Sequence, residues 1–312
     1  MDKIKIAKTD LSVSSLCLGG CPLGGYGWGE VERSELIATV RTAYDNGINF
    51  FDTADTYGLG ESERLIAEAL GADRHNAVIA TKFGVRVESG RTFYDNSRDY
   101  VIRAAEASLE RLKRDYIDVY QVHYRDGVTP LCDVIETLEL LREQGKIKYY
   151  GLSNVSKDDA MELSALGSNP FVSFQNEYSL ACRKNETDMR RFRDDFSMTP
   201  LTWGSLGQGI LSGKYDKNCH FDKNDRRSRE IYVNFHGDKL VKNLEIVEEM
   251  KKISATVGKP VSSVAIRWIL DYLTGSVVIA GAKTRAQVMQ NIEASDWKLS
   301  NDEINLLERI SR

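Results

Sequence analysis

Four side chains with complementary acid–base chemistry follow consecutive apolar runs of the sequence. The second run leads into Asp52, with Tyr57 just beyond it, the third ends at Lys82 and the fourth at His123. A phenol alone has a pKa of about 10 and exchanges protons poorly near neutrality. A lysine ammonium is expected to lower that pKa, an aspartate to hold the lysine charged, and a histidine to relay a proton or orient a carbonyl. Together they suit reduction of a carbonyl group, in which the tyrosine protonates the alkoxide while a cofactor delivers hydride.

These four residues meet only if the runs are neighbouring strands of one sheet. Eight short, β-rich runs recur along the chain and lack polar alternation, as expected for parallel strands that are buried on both faces. They cover residues 16–20, 49–55, 77–82, 116–123, 149–154, 171–176, 200–205 and 277–282. The ends of such strands share one edge of the sheet, which is where the four side chains are predicted to lie.

Segments of helical periodicity separate the runs. The clearest cover residues 31–46, 97–113, 130–144, 156–166 and 186–195. Strand–helix alternation repeated eight times predicts an α/β fold of the (β/α)8 TIM-barrel type, with residues 1–312 forming a single barrel domain. A doubly wound sheet is the alternative, because both folds use the same strand–helix–strand unit.

Three segments fall outside the repeat. Residues 4–16 predict an N-terminal β-hairpin that closes the bottom of the barrel. Ser300, followed three residues later by Glu303, predicts a capping box that opens an extra C-terminal helix. Residues 214–237 are polar, charged and aromatic, and they predict either a lid over the barrel mouth or a solvated loop.

Composition excludes several classes of function. The 312 residues carry 42 basic and 46 acidic side chains, a formal net charge of −4, so no basic stripe favours nucleic acid as a partner. No apolar run approaches the roughly 20 residues of a membrane helix. The N-terminal residues 1–6 alternate charged and apolar side chains instead of forming the core of a signal peptide, so a cytoplasmic location is expected.

Metal binding is not expected. The five cysteines, Cys17, Cys21, Cys132, Cys182 and Cys219, lack metal-ligand spacing and predict free thiols. The four histidines are too scattered along the chain to form a metal site.

The motifs together resemble the aldo-keto reductase family over nearly the whole chain. The matching strings are residues 49–58, 60–63, 151–154, 174–178 and 208–215. The resemblance places the family's catalytic tetrad on Asp52, Tyr57, Lys82 and His123. It also implies NADPH, or less often NADH, held across the barrel mouth without a Rossmann fold.

The resemblance also assigns residues to the cofactor. Ser153, Asn154 and Gln175 would bind the nicotinamide carboxamide, and Trp203 would stack on the nicotinamide ring. The segment after Trp203 departs from the family's commoner Ser-Pro-Leu-Ala string, and its glycines let backbone amides approach the diphosphate. The residues assigned to this part of the cofactor are Ser205, Leu206, Gln208 and Gly209.

The segment that begins at Gly281 would hold the adenosine end of the cofactor. Gln287 and Asn291 are spaced i and i+4, so they share one helix face and by resemblance reach the adenine. Lys283 is placed for a 2′-phosphate and favours NADPH. The family more often has arginine at this position and proline at Ala280.

Four residues are candidates for contact with a small carbonyl or alcohol substrate. Tyr26 and Trp28 lie in the glycine-rich loop after the first run, and Tyr124 and Arg125 follow His123. An unconstrained loop and a solvated arginine are the alternatives. The predicted function is NADPH-dependent reduction of an aldehyde or ketone. The alternatives are an NAD(P)-dependent alcohol or sugar dehydrogenase and a cofactor-sensing regulatory subunit, as in the potassium-channel β subunits that resemble this family.

Overall fold

Eight parallel strands close into a barrel in the computed structural model, which describes residues 1–312. Each strand pairs with the next in chain order, and the last pairs with the first, as a (β/α)8 TIM barrel requires. The strands are β1 (Leu16–Gly19), β2 (Phe50–Asp52), β3 (Val78–Phe83), β4 (Ile117–Val122), β5 (Ile147–Ser153), β6 (Ser173–Glu177), β7 (Thr199–Trp203) and β8 (Val277–Gly281). The predicted fold class is confirmed, and the doubly wound alternative is wrong because the sheet is closed.

The strand register brings the predicted catalytic residues to one rim. Asp52 is the last residue of β2, and Lys82 on β3 lies opposite Gln121 on β4. Farther round the barrel, Ser153 on β5 lies opposite Gln175 on β6. Because all eight strands run in the same direction, these side chains share the carboxyl-terminal mouth of the barrel.

Ten helices surround the strands. They are α1 (Arg33–Asp45), α2 (Glu61–Leu70), α3 (Arg98–Leu112), α4 (Leu131–Glu143), α5 (Lys157–Leu166), α6 (Glu186–Asp194), α7 (Gly237–Val257), α8 (Val261–Tyr272), α9 (Arg285–Ile292) and α10 (Asn301–Ser311). The five predicted helices are present with slightly tighter bounds, because residues such as Ser97 and Lys113 cap α3 and are not part of it.

The N-terminal hairpin closes the bottom of the barrel as predicted. Residues Lys3–Lys5 pair with Ser12–Ser14 in antiparallel register. Ile6 and Leu11 beside these strands, together with Val13, join the buried cluster formed by inward-facing strand side chains. Burial of this apolar surface blocks the amino-terminal end, so the carboxyl-terminal mouth is the open end of the barrel.

The capping box of the C-terminal helix is also confirmed. The Ser300 side chain accepts a hydrogen bond from the Glu303 backbone N–H, and the Glu303 carboxylate accepts one from the Ser300 backbone N–H at 2.8 Å. The two bonds satisfy donors that would otherwise be unpaired at the start of α10.

A second hairpin follows β3 and was not predicted. Val85–Glu88 pairs with Arg91–Tyr94 in antiparallel register. Ser89 and Gly90 form the turn, and both have positive φ, as a two-residue type I′ turn requires. Most of the hairpin is exposed to solvent, unlike the barrel strands.

The 214–237 segment is folded and is not a solvated loop. The rings of Tyr215, Phe221 and Phe235 pack together with centroids 4.9–5.5 Å apart. The Arg226 backbone N–H donates to the Gly27 carbonyl at 2.9 Å, which ties the segment to the loop after β1. The lid interpretation therefore agrees with the contacts of this segment, which is called the lid segment below.

Three further observations concern membrane-spanning helices, cysteines and metal-ligand clusters. None of the helices combines the length and hydropathy needed to cross a membrane. All five cysteines are free thiols. No group of three histidine, cysteine, aspartate or glutamate side chains is arranged to hold a metal ion.

Candidate active site

Lys82 connects the predicted catalytic residues. Its buried ammonium donates to Asp52 Oδ1 at 2.6 Å, to the Thr53 carbonyl at 2.9 Å and to the Tyr57 hydroxyl at 3.4 Å. These three acceptors match the three hydrogens of an ammonium group. The position of the lysine ammonium is therefore fixed by its partners.

The Asp52 carboxylate is held by the barrel interior as well as by Lys82. Its Oδ2 atom accepts hydrogen bonds from Gln175 Nε2 at 2.8 Å and from Gln121 Nε2 at 3.1 Å. The amide of Gln175 also donates to Gln121 Oε1 at 3.3 Å. Gln121 was not among the predicted site residues, although it lies two positions before His123 in the same strand-end string. These bonds leave Asp52 little freedom to rotate away from the ammonium.

Tyr57 is a neutral phenol in this structure. Burial raises the pKa of Tyr57 well above its usual value, and the neighbouring Cys21 thiol and Asp52 carboxylate raise it further. The predicted lowering of this pKa by Lys82 is outweighed, because the net shift is upward. Burial disfavours the phenolate, and the Asp52 carboxylate opposes the field of the ammonium. A neutral phenol is the protonation state of a proton donor.

His123 is also neutral. Burial lowers its pKa well below the usual value, and the positive charge of Lys82 lowers it further. Its ring lies edge-on to the Tyr57 ring, with centroids 5.8 Å apart. Its Nδ1 atom is buried and has no hydrogen-bond partner in the protein. A neutral imidazole can donate one hydrogen bond and so orient a bound carbonyl.

Two glycines let the Tyr57 loop reach this position. A Cβ atom on Gly24 would lie 2.7 Å from the Tyr57 carbonyl carbon and from the Gly58 backbone nitrogen. Gly58 has a φ of 61° and its own Cβ would lie 2.2 Å from the Gly24 carbonyl oxygen. The loop after β1 and the loop after β2 therefore touch backbone to backbone, which fixes the tyrosine above Lys82.

A cavity of about 1270 Å³ opens above these residues. Pockets for drug-sized ligands have volumes of about 300–1,000 Å³, so this cavity has room for a larger molecule. Most of the predicted site residues line it: Trp28, Asp52, Tyr57, His123, Tyr124, Ser153, Asn154, Gln175, Trp203, Ser205, Leu206, Gln208, Gly209, Gly281, Lys283, Gln287 and Asn291.

The cavity has the chemistry of a dinucleotide site. The indole Nε1 of Trp203 is buried without a partner, so its hydrogen is available to a ligand. At the other end, Lys283, Arg227 and Lys214 all line the cavity, and Arg227 is paired with Asp225 at 2.5 Å. Burial lowers the pKa of Lys283, the charges of Arg227 and Lys214 lower it further, and Asp225 opposes them. Such a cluster suits phosphate groups. The residues present therefore fit a phosphorylated nicotinamide dinucleotide.

Several predicted cofactor residues already have protein partners. The Gln208 amide donates to Glu177 Oε1 at 3.1 Å. The Lys283 ammonium donates to the Trp28 carbonyl. Gln287 Oε1 accepts from the Lys283 backbone N–H at 2.8 Å. These bonds hold the side chains at the cavity wall.

Two predicted substrate residues do not line the cavity. Tyr26 is exposed, with the Arg226 guanidinium 4.9 Å from its ring centroid. Arg125 forms ion pairs with Asp159 at 3.0 Å and Glu162 at 3.3 Å. Its charge is therefore satisfied by helix α5, so Arg125 is neither the predicted substrate contact nor a solvated arginine.

Other residues that line the cavity were missed. Tyr94 lies on the second hairpin, and Tyr232 lies in the lid segment, as does Arg227. The Ser89-Gly90 pair between Val85 and Tyr94 was the available signal for the hairpin. No signal in the sequence indicated that its last residue faces the barrel mouth.

Comparison with known proteins gives consistent matches over the full barrel. The model of the Aldo/keto reductase family matches residues 15–312. Aldo-keto reductase YhdN of Bacillus subtilis is 32% identical, over 97% of this chain and 91% of that protein. The NADH-specific methylglyoxal reductase of Escherichia coli is 28% identical, over 100% of this chain and 98% of its own length. The solved structure of a glycerol dehydrogenase from Gluconobacter oxydans superposes with a TM-score of 0.89 at 30% identity, covering 99% of this chain and 94% of that one.

Proposed function

The chain belongs to the aldo/keto reductase family, and on that premise we propose which of its residues carry out carbonyl reduction and which hold the cofactor. The enzyme is an NAD(P)H-dependent oxidoreductase that reduces aldehydes or ketones to alcohols. The proposed catalytic residues are Asp52, Tyr57, Lys82 and His123. The observation that carries this proposal is the buried contact from Lys82 to both Asp52 and the Tyr57 hydroxyl.

Tyr57 is the proposed general acid. When bound, NADPH supplies the hydride that adds to the carbonyl carbon. The Tyr57 phenol donates its proton to the carbonyl oxygen as negative charge develops there. The Lys82 ammonium stabilises the resulting phenolate, and its hydrogen bond to Asp52 holds it in place. The neutral His123 ring orients the carbonyl oxygen through a hydrogen bond.

The protonation state of Tyr57 suits the proton-donating role that reduction requires. Burial raises the pKa of the phenol, so its neutral form predominates. Oxidation of an alcohol would use the same group as the base, so the site can serve both directions. An NAD(P)-dependent dehydrogenase is the second candidate, because a neighbouring structure is a glycerol dehydrogenase. The two candidates share the same site and differ in direction.

NADPH is the proposed cofactor in preference to NADH. Lys283, with Arg227 and Lys214 close to it, would bind a phosphate that NADH lacks. Ser153, Asn154 and Gln175 are proposed for the carboxamide, Trp203 for the nicotinamide ring, Ser205, Leu206, Gln208 and Gly209 for the diphosphate, and Gly281, Gln287 and Asn291 for the adenosine end. The name of the Escherichia coli relative specifies NADH, so NADH is the alternative.

The remaining proposals concern the protein as a whole. Residues 1–312 are proposed to act as one barrel domain, because strands from across the chain close a single barrel. The proposed partner is a small carbonyl or alcohol substrate and not a nucleic acid, since the net charge of −4 offers no basic stripe. The proposed location is the cytoplasm.

A panel of aldehydes, ketosugars and small ketones tests the function. NADPH consumption is measured by absorbance for each compound, and the panel is repeated with NADH. Turnover of at least one carbonyl, with a higher kcat/KM for NADPH than for NADH, is the expected result. Tight NADPH binding without turnover of any compound would instead identify a cofactor-sensing regulatory subunit.

A further inference from the structure

A continuous series of aromatic rings leads away from the catalytic residues. The Tyr57 ring meets the His123 ring edge-on. The His123 ring stacks on Tyr124, with centroids 5.1 Å apart and an interplanar angle of 27°. Tyr124 in turn stacks on Tyr94, at 5.0 Å and 17°. Three of these four rings are stacked, so they form one rigid wall of the cavity.

Tyr94 belongs to the second hairpin, which the reduction chemistry does not use. Its side chain remains 48% exposed and lines the cavity together with Thr92 and Val85. Thr92 and Tyr94 are two positions apart, and Val85 lies opposite Tyr94, so the three share one face of the hairpin. Phe93 lies on the other face, does not line the cavity and packs against Arg86, whose guanidinium is 4.9 Å from its ring.

The lid segment supplies the facing wall. Ile231, Tyr232 and Val233 line the cavity, and Ile231 is 78% exposed. The Tyr232 ring lies edge-on to the Trp28 ring at 6.0 Å. Tyr124 and Tyr232 both line the cavity, one from each wall. Apolar side chains left exposed at the rim of a cavity favour an apolar ligand.

Two of the three arginines around these walls have carboxylate partners. Arg86 is paired with Glu88 and with Asp95, the latter at 2.6 Å. Arg125 is paired with acidic residues of α5, as described above. Arg226 instead lies over the rings of Tyr26 and Trp28, and its buried Nε atom has no hydrogen-bond partner. Aromatic surface is available to a ligand on both sides of the cavity.

We infer that the enzyme prefers aldehydes or ketones that carry an aromatic ring, bound between the hairpin residues Val85–Tyr94 and the lid segment. Tyr94 is the residue that determines this specificity. The inference rests on the proposed carbonyl reduction, because the ring is held on the side of the cavity next to Tyr57 and His123. Contact between aromatic rings contributes more affinity than the burial of their surface alone. Loss of Tyr94 therefore weakens the binding of aromatic substrates more than that of substrates without a ring.

Steady-state kinetics with three aldehydes test the inference. The probes are 3-phenylpropanal, propanal and 4-oxobutanoate, each with saturating NADPH. For the wild-type enzyme we expect kcat/KM to be at least tenfold higher for 3-phenylpropanal than for propanal or 4-oxobutanoate, neither of which carries a ring. Tyr94→Ala is expected to lower kcat/KM for 3-phenylpropanal about five- to tenfold, mainly by raising KM. Its kcat/KM for propanal should stay within about twofold of the wild-type value. Tyr94→Phe keeps the ring and is expected to keep the preference.

Phe93→Ala is the matched control, because it alters the same strand of the hairpin on the face away from the cavity. It is expected to change kcat/KM for 3-phenylpropanal and for propanal by no more than twofold. Tyr94→Leu provides a second test if the alanine variant does not fold, since it retains apolar bulk and loses only the aromatic face. Equal wild-type kcat/KM for 3-phenylpropanal and propanal, or an equal loss for both in the Tyr94 variants, would overturn the inference. Wild-type enzyme that reduces none of the three aldehydes, nor any compound of the wider panel, would instead contradict the proposed function.

Discussion

The ammonium of Lys82 donates to the hydroxyl of Tyr57 across 3.4 Å, at the closed base of a cavity that is large enough for a dinucleotide. The lysine cannot approach the phenol without Asp52, because an unpaired ammonium is costly to bury. The acid–base chemistry of the site is therefore inseparable from the stability of the barrel core.

Removal of Lys82 alone should affect both properties. Lys82→Met leaves the Asp52 carboxylate buried without its cation, which costs about 3–5 kcal/mol of unfolding free energy. It should also lower kcat at least about 100-fold, since the phenolate loses its stabilising charge. Urea unfolding and NADPH consumption measure the two effects.

A double variant separates the effect on stability from the effect on kcat. Asp52→Asn combined with Lys82→Met removes both charges, so the free energy of unfolding should rise most of the way to the wild-type value while kcat stays low. Recovery of activity together with stability would mean that Lys82 has only a structural role.

The loop contact at Gly24 should control the position of Tyr57. Gly24→Ala places a methyl group 2.7 Å from the Tyr57 carbonyl carbon, so the loop must shift. A displacement of about 1 Å at a catalytic group costs about 100-fold in rate, so kcat should fall by that order while NADPH affinity is kept.

Gly25→Ala is the control for this variant. A Cβ atom at Gly25 meets nothing within 4 Å, although the φ of 70° adds backbone strain. Its kcat should therefore stay within a few-fold of the wild-type value. A similar loss of kcat in both variants would show that strain in the glycine-rich loop, and not the contact with Tyr57, is responsible.

Lys283 should determine the preference between the two nicotinamide cofactors. An ionic hydrogen bond to phosphate is worth about 1.5–3 kcal/mol, so Lys283→Met should raise KM for NADPH about tenfold or more. KM for NADH should change little. Arg285→Met is the control, because Arg285 is paired with Glu35 on the surface and does not line the cavity. Equal effects of Lys283→Met on both cofactors would refute the phosphate assignment.

Asp55 should make the free energy of unfolding decrease as the pH rises. Burial raises its pKa to about 7, and the nearby Glu63 carboxylate adds to the rise. Between the ordinary carboxyl pKa of about 4 and pH 7 the folded state binds more protons than the unfolded state, so the free energy of unfolding falls as pH increases. At about 1.4 kcal/mol per pKa unit, Asp55 contributes a loss of about 2–3 kcal/mol between pH 5 and pH 8.

Asp55→Asn should remove that part of the pH dependence in urea unfolding. The hydrogen bond from the Tyr100 hydroxyl can be retained, because the asparagine carbonyl oxygen also accepts. Asp126→Asn is the control: hydrogen bonds from Thr129 and Asn96 outweigh burial and lower the pKa of Asp126 to about 2, so it is ionised at both pH values. An unchanged slope in Asp55→Asn would contradict the assignment.

The barrel and the catalytic residues were predictable because their signals are local. Buried parallel strands form continuous apolar runs, and Asp52, Lys82 and His123 each lie at or next to the end of such a run. The hairpin that carries Tyr94 was missed because its strands are mostly exposed and polar, so they lack that signal.

The errors concern properties that depend on the folded environment. The pKa of Tyr57 rises with burial, and the degree of burial of a loop residue cannot be inferred from its neighbours in sequence. Arg125 was assigned to substrate, but its partners Asp159 and Glu162 lie more than thirty positions away along the chain. Only the packing of α5 against the strand ends brings them together.

The most direct test of the central claim compares Tyr57→Phe with the wild-type enzyme in two quantities, kcat and NADPH affinity. The variant removes only the hydroxyl that Lys82 contacts, so NADPH affinity, measured by fluorescence titration, should remain within about twofold of wild type. Its kcat for 3-phenylpropanal, or for the best substrate of the panel, should fall at least about 100-fold, while Tyr26→Phe outside the cavity should keep full activity. A Tyr57→Phe enzyme that reduces carbonyls at the wild-type rate would show that the phenol is not the proton donor.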